Sequence, residues 1–474
     1  MLLAIVITYL ILTVGVSFYL SKRIKTTTDF LIAGRKLGLL LTTSTLAAIQ
    51  LGAGVILGGA ELGAQSGVWP GMWYGIGCGG GLILAGLLVA SKMRRRGGYV
   101  PLDFFAARYG EKKWVRFWGW LSNIPSLLGI FVAQVMAAGT IFSLFGVDYK
   151  IGIIISGVVI MLYSVLGGMI SVAVVNFLQL GIIILGIPLV AVMSLLKSGN
   201  TFAETATRTL STPFIPSGMF SQAVFIIVPF LLAISVSYDA FMRYQSAKSE
   251  KVAKWGCIFG GLIVILISFC VGLVGTTGKA IFPTLENAEI LPKMIQTSLP
   301  PVLAGLVVSA LLAAAMSTGN CLLISLAGCF SRDLYNKVFH PSVKLDELKH
   351  SKTLSRIVIV GMLFVGVAIA FYAKGILYTI IIFNYPYMGS LLVPLLGGVL
   401  WKGATTKGAI AALFVGGAIG VASFIAGVPG PLQGLFNIDM GLLVAYAVSA
   451  IVFVSVSLAT PDQDSRPIRK SHSI

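Results

Sequence analysis

Residues 38–64 read GLLLTTSTLAAIQLGAGVILGGAELGA, a run long enough to cross a membrane yet crowded in its second half by Gly52, Gly54, Gly58, Gly59 and Gly63. A bilayer core needs about 20 mostly apolar residues in one helix, and each glycine weakens a helix by about 1 kcal/mol relative to alanine. The run therefore predicts a membrane helix that breaks just after Gln50, freeing the carbonyls of Ala48 and Leu51 at mid-depth. Irregular backbone at that depth is tolerated where it lines a cavity. The same glycines also suit close helix packing, and both uses are compatible.

Outward from this run lie twelve more apolar stretches. The thirteen spans are read at 2–20, 38–64, 69–91, 117–143, 150–168, 171–196, 219–242, 254–276, 301–330, 354–373, 376–400, 408–427 and 440–459. Almost all of the 34 Lys and Arg fall in alternate loops and in the tail. The positive-inside rule then places the amino terminus outside and the carboxyl terminus in the cytoplasm of a cell membrane, inner or plasma. With 57% hydrophobic and 11% charged residues, the chain is not an ordinary soluble domain, where about 25% would be charged. The net charge of +18 sits in short turns such as 92–96 and 332–352, where it sets topology and touches anionic lipid. No nucleic-acid partner is expected. The first span starts at Met1 with no basic segment ahead of it, so it reads as a retained helix rather than a signal peptide.

The residues give little to an enzyme. His340, His350 and His472 lie in a loop or the tail, and there is no H-E-x-x-H, nucleophile elbow or phosphate-binding G-x-x-x-x-G-K-[ST]. Cys78, Cys257, Cys270, Cys321 and Cys329 show no metal-ligand spacing and read as small buried hydrophobes. No cofactor is expected. Only two acids, Glu61 and Asp239, fall inside spans, each near an end. Intramembrane ionisable groups are functional candidates, so both are candidates for gating, against a plain interfacial reading. With no acid at mid-depth, a cation held there needs neutral oxygens.

Residues 311–323, LLAAAMSTGNCLL, supply such oxygens. Ser317 and Thr318 lie midway between Pro301 and Ser331, with Ala314 one turn earlier on their face. Two hydroxyls and a carbonyl suit a small alkali cation. The bland alternative is that both hydroxyls bond back into their own helix.

Three segments carry a resemblance to the sodium/solute symporter family. Residues 163–179, YSVLGGMISVAVVNFLQ, resemble its aromatic–Ser/Thr–x–x–Gly-Gly … Ala-Val … Thr-Asp … Gln signature. Residues 239–251, DAFMRYQSAKSEK, are similar to its Gln-Asp-x-x-x-Arg-Tyr … Ala-Lys-Ser-Glu-Lys segment, and residues 314–335, AAMSTGNCLLISLAGCFSRDLY, to its Met-Ser-Thr/Ser … Asp-Leu-Tyr helix. The likeness is collinear along the chain.

The resemblance implies an all-α polytopic protein of 13 transmembrane helices, with a leucine-transporter-like core of two inverted five-helix repeats, one helix before it and two after. The corresponding segments are 1–37, the repeats 38–197 and 198–402, the last two helices in 403–460, and a cytoplasmic tail, 461–474. It implies a sodium site at Ala48, Leu51, Ala314, Ser317 and Thr318. Substrate would sit beside it between spans two, four, seven and eleven, with Gln50, Gln134, Ser235 and Asn384 as contact candidates.

The chain departs from the family pattern at two places. Val175–Asn176 replace the signature Thr-Asp on the ion-exit route, which argues against a second sodium. Gln50 stands where some members carry Asp. It also replaces the Trp of the choline branch, which the pattern Gly52-x-Gly54-x-Ile56-x-Gly58 otherwise resembles. The expected function is sodium-coupled symport of a small polar organic solute into the cell by alternating access, with sodium as coupling ion. The alternative is a proton-coupled or ion-independent transporter of the same fold, because the usual acid is Asn176.

Overall fold

A computed structural model describes residues 2–22, 26–199, 204, 212–345, 347, 348, 350–373, 375–427 and 438–461. All but the first residue of the 461–474 tail thus lies outside the described residues. The helices used below are α1 (Leu2–Ser21), α2 (Leu39–Gln50), α3 (Gly59–Ser66), α4 (Val68–Leu84), α5 (Pro101–Tyr109), α6 (Lys113–Ser143), α7 (Tyr149–Lys197), α8 (Phe220–Ala233), α9 (Tyr238–Ser246), α10 (Glu250–Ile281), α11 (Pro301–Gly328), α12 (Ser351–Ala370), α13 (Ile376–Leu400), α14 (Thr406–Gly427) and α15 (Ile438–Ala459). Among the described residues no strand forms beyond one isolated bridge, Leu37 to Ala247.

This is an all-helical polytopic membrane architecture. Among the described residues, nine helices are long and apolar enough to span a bilayer, or ten if the bent pair Leu39–Gln50 and Gly54–Ser66 is one span. Three shorter apolar helices, Ala4–Leu20, Tyr149–Leu162 and Leu443–Ala459, fall below that length. The described residues thus give nine or ten spans of full length where thirteen were expected.

The predicted break is present. α2 stops at Gln50, Leu51 leaves helical geometry (φ −78°, ψ 33°), and a wide π turn over Gly54–Gly58 leads into α3. The two halves are bent by 54°. A second break separates α8 from α9, where Ser237 caps the new helix by accepting the Ala240 N–H at 3.4 Å. α7 turns at Gly168, whose φ of 53° and ψ of −174° end one helix and start the next.

α10 packs against α2, α3 and α4, while α11 packs on α6 and α7, and α13 on α6 and α14. Close approach of α4 and α10 depends on small residues: a Cβ on Gly71 would lie 2.8 Å from the Gly272 Cα. The two broken helices face each other where these groups meet.

Candidate functional site

The break in α2 exposes backbone that other helices satisfy. The orphan Ala53 N–H donates to Gln134 Oε1 on α6 at 2.9 Å, and Gln134 Nε2 donates back to Ile130 O at 3.3 Å. Gln134 therefore acts as the cap of a half-helix from another span. Gly52 leaves the room: a Cβ there would stand 2.8 Å from Gln134 Oε1 and 3.2 Å from Thr318 Oγ1.

Beside this cap, Thr318 Oγ1 on α11 donates to Ala48 O on α2 at 3.4 Å. Ser317 Oγ donates to Ala314 O within its own helix at 3.1 Å, the local back-bonding that the sequence left open. Ala48, Leu51, Ala314, Ser317 and Thr318 are all buried. One turn nearer the basic face, Asn176 on α7 donates through Nδ2 to Thr45 Oγ1 at 3.2 Å, and its Oδ1 has no partner among the described residues.

Next to these oxygens lies a small cavity of about 30 Å³, lined from α2, α4, α6, the α8–α9 break, α11 and α13. That is room for about one water. Gln50, Gln134 and Asn384 reach it, and Asn384 Oδ1 accepts Ser126 Oγ at 2.6 Å while its Nδ2 donates to Ile380 O. Ser235 is not among its walls; its hydroxyl donates to Leu232 O at 2.6 Å. Asp239 is on the wall, with Gln50 Nε2 donating to its Oδ2 at 3.3 Å. Its span position suggested an interfacial place. Instead it is buried, at the start of a helix that continues past the apolar run to Ser246. Tyr74, Ser126 and Tyr387 also line the cavity, and sequence reading missed them because each sits in an unremarkable apolar run.

Glu61 sits elsewhere. It lines a separate vestibule of about 460 Å³ with Gln65, Gln222 and Tyr378. Vestibule and cavity share helices, Gly58 and Leu377 lining one and Gly54 and Ile380 the other. The barrier between them is thus thin and apolar.

Toward the basic face lies a cluster of ion pairs. Arg116 joins three carboxylates: Asp333 at 2.6 Å, Glu111 at 2.7 Å and Asp103 at 3.0 Å. Arg332 holds Asp103 at 3.1 Å. The Tyr238 hydroxyl, at the start of α9, donates to Asp333 Oδ2. Burial alone would raise the Asp103 carboxyl, but the Arg332 and Arg116 guanidiniums outweigh it and hold the group well below the usual carboxylate range. Loop charges that set topology in the sequence thus also form a buried lock, which no local motif announces.

The comparisons fit this geometry. Residues 30–416 match the family model described as the sodium:solute symporter family. The sodium/pantothenate symporter of Escherichia coli (strain K12) is 27% identical over 438 residues, covering 87% of this chain and 88% of its own length. The sodium/proline symporter of Staphylococcus aureus (strain JH9) is 25% identical over 478 residues, covering 94% and 90%. A solved Na+-coupled sialic acid symporter, substrate-bound and outward-open, superposes with a TM-score of 0.77 at 20% identity, covering 97% of this chain and 98% of that one. The chain belongs to the sodium:solute symporter family: it is a sodium-coupled, alternating-access transporter of leucine-transporter-like fold, not an enzyme.

Proposed function

We propose that this chain imports a small polar organic solute together with one sodium ion, bound by the carbonyls of Ala48, Leu51 and Ala314 and the hydroxyls of Ser317 and Thr318. The observation that carries the reading is the Thr318–Ala48 contact, which sets a hydroxyl of α11 against a carbonyl beside the break in α2. A sodium ion between these two helices would tie them together. Substrate binds in the adjacent cavity, touching Gln50 and Gln134, with Asn384 on the opposite wall.

In the cycle, sodium and solute enter through the Glu61 vestibule and the thin apolar barrier closes. The lock of Arg116, Asp103 and Asp333 then opens, and both ligands leave past Asn176 into the cytoplasm. Linkage requires that each ligand raise the affinity of the other equally. The membrane potential contributes about 2.3 kcal/mol per charge per 100 mV. Asn176 offers an amide already bonded to Thr45, which supports a single ion. In this reading α1, the first part of α7 and α15 also cross the membrane. That gives thirteen spans, with the amino terminus outside and two inverted repeats over 38–197 and 198–402, each opening on a broken helix.

The test is uptake of labelled amino acids, carboxylates, sugars and vitamins into proteoliposomes with and without an inward sodium gradient. Sodium-stimulated uptake lost in Ser317→Ala/Thr318→Ala is expected. Uptake indifferent to the double substitution would remove the site from these residues.

A further inference from the structure

We infer that the transported solute carries a positively charged amine and that the Asp239 carboxylate is its counter-charge. This rests on the cavity being the substrate site, as proposed above, and names the class of solute it takes.

Asp239 is only 5% exposed. Its carboxylate accepts one hydrogen bond from a neutral group, Gln50 Nε2 at 3.3 Å. Among the described residues no Lys, Arg or His nitrogen lies within 4.0 Å of it. The nearby Arg243 serves the backbone instead, giving Nη1 to the Asp239 carbonyl at 2.5 Å. The Arg243 Nε and Nη2 have no hydrogen-bond partner among the described residues, so its charge is near Asp239 but not paired with the carboxylate. A buried carboxylate with no cation in contact is costly, and inside a membrane protein it is retained for a partner. Here the open side of that carboxylate is the cavity, and among the described residues Asp239 is the only charged one lining it.

The rest of the wall suits an organic cation. Tyr74, Phe230 and Tyr387 line the same space, the first two with ring centroids 4.7 Å apart. Aromatic rings near an ammonium group attract it. The wall also includes Ile49, Leu127 and Met388. Of its neutral oxygens, those of Ser126, Asn384, Gln134 and Ser237 are already engaged, Ser126 with Asn384, Gln134 with the Ala53 N–H and Ser237 with its own helix end, which leaves few hard oxygens free. A second sodium shares the chemistry of a monovalent cation, but would need several such oxygens around Asp239.

The same geometry disfavours a solute whose only charge is a carboxylate. Broken helices commonly use the positive end of a half-helix to hold such a group. In this protein Asp239 already stands in the first turn of α9, and its full negative charge exceeds the roughly half charge of a helix end. At the other break the Ala53 N–H is taken by Gln134.

The experiment uses the full chain in proteoliposomes with an inward sodium gradient and four labelled probes: choline, proline, pantothenate and glucose. A parallel readout is the sodium-induced rise in melting temperature of the purified protein without solute. Sodium-stimulated uptake is expected for an amine-bearing probe, cation or zwitterion, and for neither amine-free one. Asp239→Asn should lower that uptake at least tenfold at subsaturating solute while keeping the sodium-induced rise, and Asp239→Glu should recover part of it. Uptake of pantothenate or glucose without either amine would overturn the inference, as would wild-type uptake by Asp239→Asn. Loss of the sodium-induced rise in Asp239→Asn would also overturn it, assigning the carboxylate to a second sodium. Should Asp239→Asn not reach the membrane, the wild-type probe panel decides alone. An intact sodium response with no amine moved counts against this inference. A sodium response that survives Ser317→Ala/Thr318→Ala counts instead against the sodium site proposed above.

Discussion

The hydroxyl of Thr318 on α11 reaches the carbonyl of Ala48 on α2 at 3.4 Å, joining residues 270 positions apart. Each is placed by a different local cause. Ala48 stands in the last turn before the break in α2, and Thr318 lies midway along an unbroken helix. A hydrogen bond to a charged partner is worth about 1.5–3 kcal/mol, so Thr318→Ala is expected to raise the sodium concentration for half-maximal uptake by about 10- to 100-fold. A sodium dependence equal to wild type would exclude Thr318 from the ion site.

Gln134 holds the broken end of α2 through its acceptor oxygen. Gln134→Leu leaves the Ala53 N–H buried without a partner, which costs about 1–3 kcal/mol. The purified variant should melt measurably lower than wild type. Equal melting temperatures for wild type and Gln134→Leu would show that the cap is dispensable.

Gly52 is required by space rather than by backbone angle. A methyl there meets both the cap and Thr318, at 2.8 and 3.2 Å. Gly52→Ala should reach the membrane at normal levels, yet lose sodium-stimulated uptake, because the gap between α2 and α11 must widen. Transport at wild-type rates would mean that the break can shift without disturbing the ion site.

The lock on the basic face depends on a fork. Arg116 contacts three separate carboxylates, a geometry that the point charge of lysine cannot reproduce. Removing one partner of a buried ion pair costs about 3–5 kcal/mol, so Arg116→Ala and Arg116→Lys should both destabilise the protein.

Tyr238→Phe deletes only the hydroxyl on the Asp333 carboxylate, a loss of about 1.5–3 kcal/mol. It should leave the fold intact and favour opening toward the basic face. Cys329, fully buried beside Asn123 at 3.5 Å, is a native reporter. With the other four cysteines replaced by alanine, Tyr238→Phe should speed its modification by a maleimide added on that face. An unchanged rate would disconnect Tyr238 from the lock.

Several features of this protein are properties of the sequence alone. Apolar runs of bilayer length, basic loops on alternate sides and the glycine crowding after Gln50 are local, and a lipid environment enforces them segment by segment. So the membrane class, the break in α2 and the hydroxyl pair Ser317–Thr318 are legible without coordinates. Tertiary structure decided what those parts face. Asp239 looks interfacial until the α8–α9 break brings it to the cavity wall. Tyr74 and Tyr387 are ordinary apolar-run residues until α4 and α13 converge on it. The loop charges Asp103, Arg116 and Asp333 look like topology signals until α5, α6 and the wide helical turns of Cys329–Phe339 that follow α11 bury them together. The physical reason is common to all three: counter-charge, aromatic contact and burial are relations between distant segments, and no window of sequence contains both partners.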